Sequence, residues 1–347
     1  MAKSISRRHA LTAAASTALV AGTGARNAQA GPLKDVWGAD FMMQWSEPKN
    51  VKRDLTPGKM PVRLSCQRYR LHLPTEKSFE EQIKAMRAAG YTACEGGSGE
   101  WADSNLTDSQ IRELKAILKQ NDVMFYALHT WVNIIHPNLD ERRKYQMHVA
   151  KSVETADRLG MSFVLTHTGG NASGRNKDMP HPNNWTKETW EKSVAATKQI
   201  LKDTAGCKID LGFEAVNSCN NNTPQSHVRL KADVGDDRVK VVLDPVNMLH
   251  PGTIYRTSEL INECFDLIGE DIVYAHAKDL VWNEMLPAFD GVTLGEGTMD
   301  YEQYLVRLSR MKRPRALLIE HLPEEKYEPS RRYLVETAAR LGVKIYS

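Results

Sequence analysis

Val239-Lys-Val-Val-Leu-Asp244 is a short run of strand-forming residues that stops on a carboxylate, and the arrangement recurs on either side of it. Upstream, Lys208-Ile-Asp-Leu-Gly-Phe-Glu214 ends in glutamate. Downstream, Asp271-Ile-Val-Tyr-Ala-His276 ends in histidine and Ala316-Leu-Leu-Ile-Glu320 in glutamate. Brief runs rich in Val, Ile and Leu, bounded by polar residues, read as strands buried on both faces, as parallel strands are. Working outward, residues 62–65, 91–95, 124–129 and 163–167 have the same character, the last two closing on His129 and His167. Together with 209–214, 239–244, 272–276 and 316–320 they make eight strand candidates.

Segments of helical period lie between them, among them 78–89, 108–120, 141–159, 187–202, 258–267 and 301–310. Ile111, Leu114, Ile117 and Leu118 form one clear apolar stripe. Thr107-Asp108 and the stretch 186–188 resemble helix starts, and Gly90, Gly160 and Gly342 stand where helices should stop. Eight alternating strand–helix units predict a single (β/α)₈ TIM barrel. The rival, an open doubly wound sheet, lacks its usual marker, a Gly-x-Gly-x-x-Gly turn after the first strand.

The barrel is expected over 59–347. Residues 31–58, with Trp37, Trp45, Pro48 and Pro57, read as an irregular N-terminal arm packed on it. Residues 1–30 read as a twin-arginine signal peptide: Arg7-Arg8, an apolar run from Thr12 to Gly24, and Ala28-Gln29-Ala30 before the cleavage point. That run is too short to span a bilayer comfortably, so the expectation is periplasmic export by the twin-arginine route, with no membrane attachment after cleavage.

The leader carries Lys3, Arg7, Arg8 and Arg26 and no acid, so its removal takes the formal charge from +3 to −1. A chain so close to neutral has no general attraction for nucleic acid. The five cysteines include no Cys-x-x-Cys pair; Cys66, Cys94 and Cys207 read as buried thiols, and one disulfide is left open in an oxidising compartment, with no pairing set by the sequence.

In a parallel barrel the C-terminal strand ends face the active site. Any one carboxylate there is ordinarily a helix cap or an ion-pair partner. Glu214, Asp244, His276 and Glu320, in register on four successive strands, are different: carboxylates converging on a barrel mouth repel one another unless a cation neutralises them. Three oxygen donors and one imidazole suit one divalent ion, with Mn²⁺ the first expectation and Mg²⁺, Co²⁺ or Zn²⁺ also compatible.

At these strand ends the sequence resembles the xylose-isomerase-like TIM barrel superfamily, specifically its sugar phosphate isomerase/epimerase branch. The resemblance rests on Gly212-Phe-Glu-Ala-Val-Asn217, Leu243-Asp-Pro-Val-Asn247, Ala275-His-Ala-Lys-Asp279, Leu294-Gly-Glu-Gly297 and Ile319-Glu320. It implies a single metal held by Glu214, Asp244, His276 and Glu320, with the two glutamates doubling as the acid/base pair. Chemistry points the same way. A cation chelating a carbonyl and its neighbouring hydroxyl stabilises the enediolate left by C–H deprotonation, and a glutamate on each face can remove one proton and return another.

His129, His167, Asn217, Asn247, Lys278 and Trp131 are the expected substrate contacts. Lys278 reads more readily as the ion-pair partner of Asp279. Trp101, Trp131, Trp185 and Trp282 fall after strands, where an aromatic face can stack on a sugar ring, and Gly169-Gly170-Asn171 can let backbone approach a substrate.

Two departures count. Endonucleases of the superfamily use three zinc ions and need a histidine where Asn247 stands and an Asp-x-His where Phe289 and Gly291 stand. Several keto-sugar epimerases carry an arginine at the position of Trp282. The expectation is therefore a metal-dependent isomerase or epimerase of a sugar or keto-sugar. A lyase or dehydratase acting on a keto-sugar or oxidised glycoside is the alternative, and a periplasmic metal- or sugar-binding protein the reading from another class. A homo-oligomer is left open.

Overall fold

A parallel strand must be followed by a crossover long enough to return the chain to the same end of the sheet, and the strand–helix alternation supplies one each time. The computed structural model describes residues 52–73, 78–172, 180–286, 288–313 and 315–346. The expected leader at 1–30 and the arm up to residue 51 lie outside them. The barrel strands are β1 (Val62–Cys66), β2 (Ala93–Gly97), β3 (Met124–His129), β4 (Phe163–Thr166), β5 (Asp210–Glu214), β6 (Val239–Leu243), β7 (Ile272–Ala277) and β10 (Arg315–Ile319). They pair in parallel in the order β2-β3-β4-β5-β6-β7-β10-β1. Thr92 N–H donating to Leu64 O (3.1 Å) and Leu71 N–H to Glu95 O (3.0 Å) bring β2 back against β1. A short β11 (Ile345–Tyr346) lies beside the first residues of β1.

Nine helices appear among the described residues: α1 (Phe79–Ala88), α2 (Ser98–Ala102), α3 (Asp108–Gln120), α4 (Leu139–Leu159), α5 (Lys187–Asp203), α6 (Pro224–Val234), α7 (Thr257–Ile268), α8 (Tyr301–Ser309) and α9 (Tyr327–Leu341). Their ends follow local chemistry. Thr107 and Gln110 form a capping box on α3, Thr186 caps α5, and Gly160 and Gly342 end α4 and α9 at φ of 73° and 72°.

Strand two begins two residues later than its apolar run. Gly90 (φ 82°) and Tyr91 instead finish α1, donating to Arg87 O (2.9 Å) and Met86 O (3.2 Å). Helices α6 and α9 and the antiparallel hairpin of β8 (Asp279–Asn283) and β9 (Ala288–Val292) were not singled out from the sequence. Of the arm, residues 52–58 carry no helix or strand. They dock through Gly58 N–H on Ser309 Oγ (2.8 Å) and the Arg310 guanidinium on Thr56 O (2.6 and 2.8 Å).

One apolar cluster joins the sheet to its helices. A second, containing Ala93, Ala127, Phe163, Leu165, Val242, Tyr274, Ala316 and Leu318, packs inside the barrel. Gly212 belongs to this inner layer by necessity, because a Cβ there would meet Phe163 and Val242 side-chain atoms at 3.0 Å. A cavity of about 1170 Å³ opens at the other end, among the strand starts at Arg63, Met124, Asp210, Lys240 and Arg315. Several of its cations are already spent, Arg63 on Asp122 (3.3 Å) and Lys240 on Asp271 (2.8 Å).

The turn after the hairpin is organised by one buried carboxylate. Asp279 accepts from the N–H groups of Leu280 (2.9 Å), Gly295 (2.9 Å), Gly297 (3.1 Å) and Met299 (3.0 Å). A Cβ on Gly297 would stand 2.1 Å from Asp279 Oδ1, which explains the Leu294-Gly-Glu-Gly297 motif physically. Asp279→Ala strands these donors and is expected to cost about 2–4 kcal/mol, read as a lower urea midpoint at unchanged m-value. A loss under about 0.5 kcal/mol, the range of an ordinary surface substitution, would contradict this role.

Candidate metal centre

Side chains of a strand alternate between its two faces, so the inner packing layer fixes what lies above it. Two residues beyond the inward-facing Val242, Tyr274 and Leu318 come Asp244, His276 and Glu320, and two beyond Gly212 comes Glu214. The same step from Ala93, Ala127 and Leu165 reaches Glu95, His129 and His167. Seven polar side chains thus converge at the C-terminal end of the barrel because seven strands share one inward register. All seven are buried, the most exposed being Glu214 and His129 at 5%.

Glu214, Asp244, His276 and Glu320 each offer a ligand atom, and these atoms lie within 4.8 Å of one another. His276 Nδ1 is 2.7 Å from Glu320 Oε1, 3.2 Å from Glu214 Oε1 and 3.8 Å from Asp244 Oδ2. Lys278 reaches in from the side, with Nζ 2.5 Å from Asp244 Oδ2, 2.9 Å from Glu320 Oε1 and 3.8 Å from Glu214 Oε1. The second oxygens are used for support. Val246 N–H (3.0 Å) and Asn247 N–H (3.3 Å) donate to Asp244 Oδ1, and His167 Nε2 meets Glu214 Oε2 at 3.1 Å. Asn247 Nδ2 donates to Glu214 Oε1 (2.9 Å). The turn after Glu320 is tight, with His321 at φ 57° and its N–H on Gln67 Oε1 (2.9 Å).

Burial disfavours the charged form of each of these groups, but their mutual attraction overcomes it. His276 and Lys278 are raised above their ordinary values by Glu320, Glu214 and Asp244, while Glu214 and Glu320 are held well below theirs by His276 and Lys278. Three carboxylates and one ammonium, with His276 neutral, leave two negative charges in a buried space, which one divalent cation balances. Glu320 Oε1 has close cations but no aligned hydrogen bond, as suits an oxygen directed at a non-directional partner. The residues fit a metal ion, and the donor set is three carboxylate oxygens and one imidazole nitrogen.

A second group adjoins this one: ligand atoms of His129, His167 and Glu214 also lie within 4.8 Å of one another. His129 stands between Glu95 and Trp131. Arg70 grips Glu95 Oε1 through Nε (2.7 Å) and Nη2 (2.5 Å), and the Trp131 indole N–H donates to His129 Nε2 (2.8 Å). Burial pushes the His129 imidazolium down to about 4, outweighing Glu95, so this ring is neutral near pH 7.

Of the expected contacts, His129, His167, Asn247, Lys278 and Trp131 join this assembly. Asn217 lies exposed beyond β5, and among the described residues its side chain makes no hydrogen bond to the cluster. The ion pair expected between Lys278 and Asp279 is corrected: Lys278 turns into the carboxylate cluster while Asp279 is spent on backbone N–H groups. Trp101 is fully buried, donates to Leu71 O (2.9 Å) and packs edge-on against Phe79 and Phe125, so it supports the core and reaches no sugar. Gly169-Gly170 is likewise structural, because Asn133 bonds both Gly170 N–H (3.2 Å) and Gly170 O (2.8 Å).

Trp282 and Phe289 face each other across the hairpin and meet edge to face at 5.5 Å. The two positions where related enzymes place an arginine and an acid are joined here in an aromatic pair. Glu95 and Arg70 were missed, although a carboxylate closing the run 91–95 was the available signal.

Known proteins share this frame. A curated relative, the probable endonuclease 4 of Haloarcula marismortui, is 22% identical over 186 residues, 52% of this chain; the match spans only 63% of that relative's length. Among solved structures, D-psicose 3-epimerase with D-tagatose from Clostridium cellulolyticum H10 superposes with a TM-score of 0.57 at 16% identity, over 80% of this chain and 98% of that one. The probable 3-DHS dehydratase involved in petrobactin synthesis from Bacillus anthracis gives 0.62 at 14% identity, over 79% and 98%. At such identities the structures speak for the fold alone. The family model of the xylose isomerase-like TIM barrel matches residues 83–339, most of the chain, and the chain belongs to that family.

Proposed function

We propose that this chain is a divalent-metal-dependent enzyme that removes a proton next to a carbonyl in a sugar or keto-sugar, with isomerisation or epimerisation as the outcome. The observation that carries it is the convergence of Glu214 and Glu320, from different strands, on His276 Nδ1 at 3.2 and 2.7 Å, with Asp244 completing the set. These four residues would hold the ion, Mn²⁺ being the metal proposed. A cation there would lower the cost of the negative charge that builds on a carbonyl oxygen as the adjacent C–H proton leaves.

The chain's own residues do the rest. Glu214 and Glu320, ionised and on different strands, receive and return the carbon-bound proton. Lys278 adds a positive charge beside the developing oxyanion. Asn247 and His167 fix the Glu214 carboxylate, and His129 with Trp131 borders the substrate side.

A lyase or dehydratase needs the same first step and differs only in whether a leaving group sits on the next carbon. The dehydratase fold relative favours keeping that second reading. The nuclease name of the curated relative is not carried over, because Asn247, Phe289 and Gly291 stand where added zinc ligands are needed. A pure binding protein gains little from two glutamates bracketing one point. Reading residues 1–30 as a twin-arginine leader, we place the enzyme in the periplasm, exported folded with its metal.

The test is exchange in heavy water, read by mass spectrometry, with the Mn²⁺-loaded protein offered keto-sugars, aldoses and oxidised glycosides. Deuterium enters one carbon at otherwise constant mass, and Glu320→Gln lowers the rate at least a hundredfold while retaining substrate. Full turnover in that variant would contradict the acid/base pair, and a cleaved product would move the reaction to the lyase. The charge balance gives a further expectation. Lys278→Met uncovers buried carboxylates and lowers stability by about 3–5 kcal/mol in chelator, as read by urea unfolding, and Mn²⁺ recovers much of the loss. An equal loss with and without Mn²⁺ would contradict a shared neutralising role.

A further inference from the structure

The segment before β1 lies along α8 in a fixed direction. Gly58 and Met60 are held at the C-terminal end of that helix, their N–H groups donating to Ser309 Oγ (2.8 Å) and Ser309 O (3.0 Å). Read backward from there, the Arg310 guanidinium holds Thr56 O (2.6 Å) and Asp54 Oδ2 (2.7 Å), and Leu55 packs against the core. Arg53 then reaches the other end of the helix, its Nη1 3.1 Å from Oδ1 of the capping Asp300 and 3.0 Å from Glu302 Oε2. In a (β/α)₈ barrel the helix that follows a strand begins at the catalytic end. The arm, traced back from β1, therefore climbs α8 from the strand-start end toward the face that carries the metal centre, and residues 31–51 continue from that point.

The corner that Arg53 reaches is tied to two loops of that face. Asp300 N–H donates to Thr257 Oγ1 (3.1 Å), the Thr257 hydroxyl donates to Thr298 O (2.7 Å), and Thr298 N–H donates to Leu280 O at the base of the β8–β9 hairpin (3.1 Å). These are the loops that leave β6 after Asp244 and β7 after His276 and Lys278. Among the described residues they carry the two most exposed large hydrophobic side chains, Met285 at 90% and Tyr255 at 77%, with Leu286 beside Met285 at 62%. The hairpin tip is ordered: Asn283 Oδ1 accepts from the N–H groups of Met285 (2.9 Å) and Leu286 (3.0 Å), and Trp282 packs on Phe289 below it. A fixed turn that presents adjacent apolar side chains to water marks a contact surface.

The arm has the composition and the length to cover it. Val36, Trp37, Phe41, Met42, Met43 and Trp45 crowd into one short stretch. At about 3.3–3.6 Å per residue, an extended chain starting from residue 52 carries Trp45 up to about 25 Å and Trp37 up to about 50 Å. We propose that residues 31–51 dock on the rim of their own molecule, with the apolar stretch 36–45 against Tyr255 and the Met285–Leu286 tip, and wall the metal centre on its β6–β7 side. The Arg53 anchor selects the same molecule over a second copy, because it delivers the arm to the edge of its own rim. The wall narrows access to the site whichever reaction takes place there.

Photo-cross-linking in the full chain tests the docking, with Met285→benzoylphenylalanine as the probe and mass spectrometry identifying the joined peptides. The expected result is capture of residues within 31–51, in a product that runs as a monomer. The same probe at Met147, 56% exposed on α4, captures none of the arm. No arm peptide from position 285, equal capture from positions 285 and 147, or a covalent dimer as the main product would each overturn the proposal.

Hydroxyl-radical footprinting supplies a second readout that places no probe on the rim. Trp37→Ser combined with Trp45→Ser should speed the labelling of Met285 and Tyr255 and leave that of Met147 unchanged. Equal labelling of Met285 and Tyr255 with and without the two tryptophans would count against the cover. Neither readout needs turnover, so they can fail while the proton-exchange assay succeeds, and the reverse.

Discussion

Mutual repulsion among Glu214, Asp244 and Glu320 is the constraint around which the molecule is arranged. Their ligand atoms lie within 4.8 Å of one another in a space almost closed to water. At that separation each ionised pair costs about 3–4 kcal/mol even at an effective dielectric near 20. Lys278 answers part of this charge, and the protonated form of His276 answers more in the absence of a cation. A divalent ion held there would remove the need for that proton, and His276 would then serve as a neutral ligand.

Holding like charges together demands a stiff frame, and its stiffness is traceable to particular residues. Strand alternation sets each acid two residues above a packed apolar layer, so none can turn away without inverting its strand. Backbone N–H groups after β6 clamp one Asp244 oxygen, and His167 and Asn247 clamp Glu214. The hairpin after β7 is bound down by Asp279, which steadies the segment carrying His276 and Lys278. On the far side Arg70 grips Glu95 and meets His129 Nδ1 at 3.2 Å. The polar site is thus two supported groups that share Glu214.

The barrel and the four acidic or imidazole strand ends were legible in sequence because both depend on short-period signals: apolar runs of strand length, and a ligand-type residue at the end of each. Partner choice was not. Lys278 and Asp279 are neighbours in sequence, yet they straddle the junction between β7 and β8, where one turns to the carboxylates and the other to the backbone of the following loop. Trp101 reads like a rim aromatic, but the short α2 carries it inward, where Phe79 and Phe125 close around it. Glu95 hid for a different reason: Gly90 and Tyr91 finish α1 and the strand runs on to Gly97, so the carboxylate that closes the apolar run lies inside the strand and not at its end. The Trp282–Phe289 pair depends on a hairpin whose pairing no local period announces.

The central claim is a single cation held by four successive strand ends, and crystals of the Mn²⁺-loaded protein measured at the manganese absorption edge test it most directly. The account predicts one anomalous peak, about 2.0–2.3 Å from one atom each of Glu214, Asp244, His276 and Glu320. No peak there, or one centred on His129 and His167 instead, would contradict it.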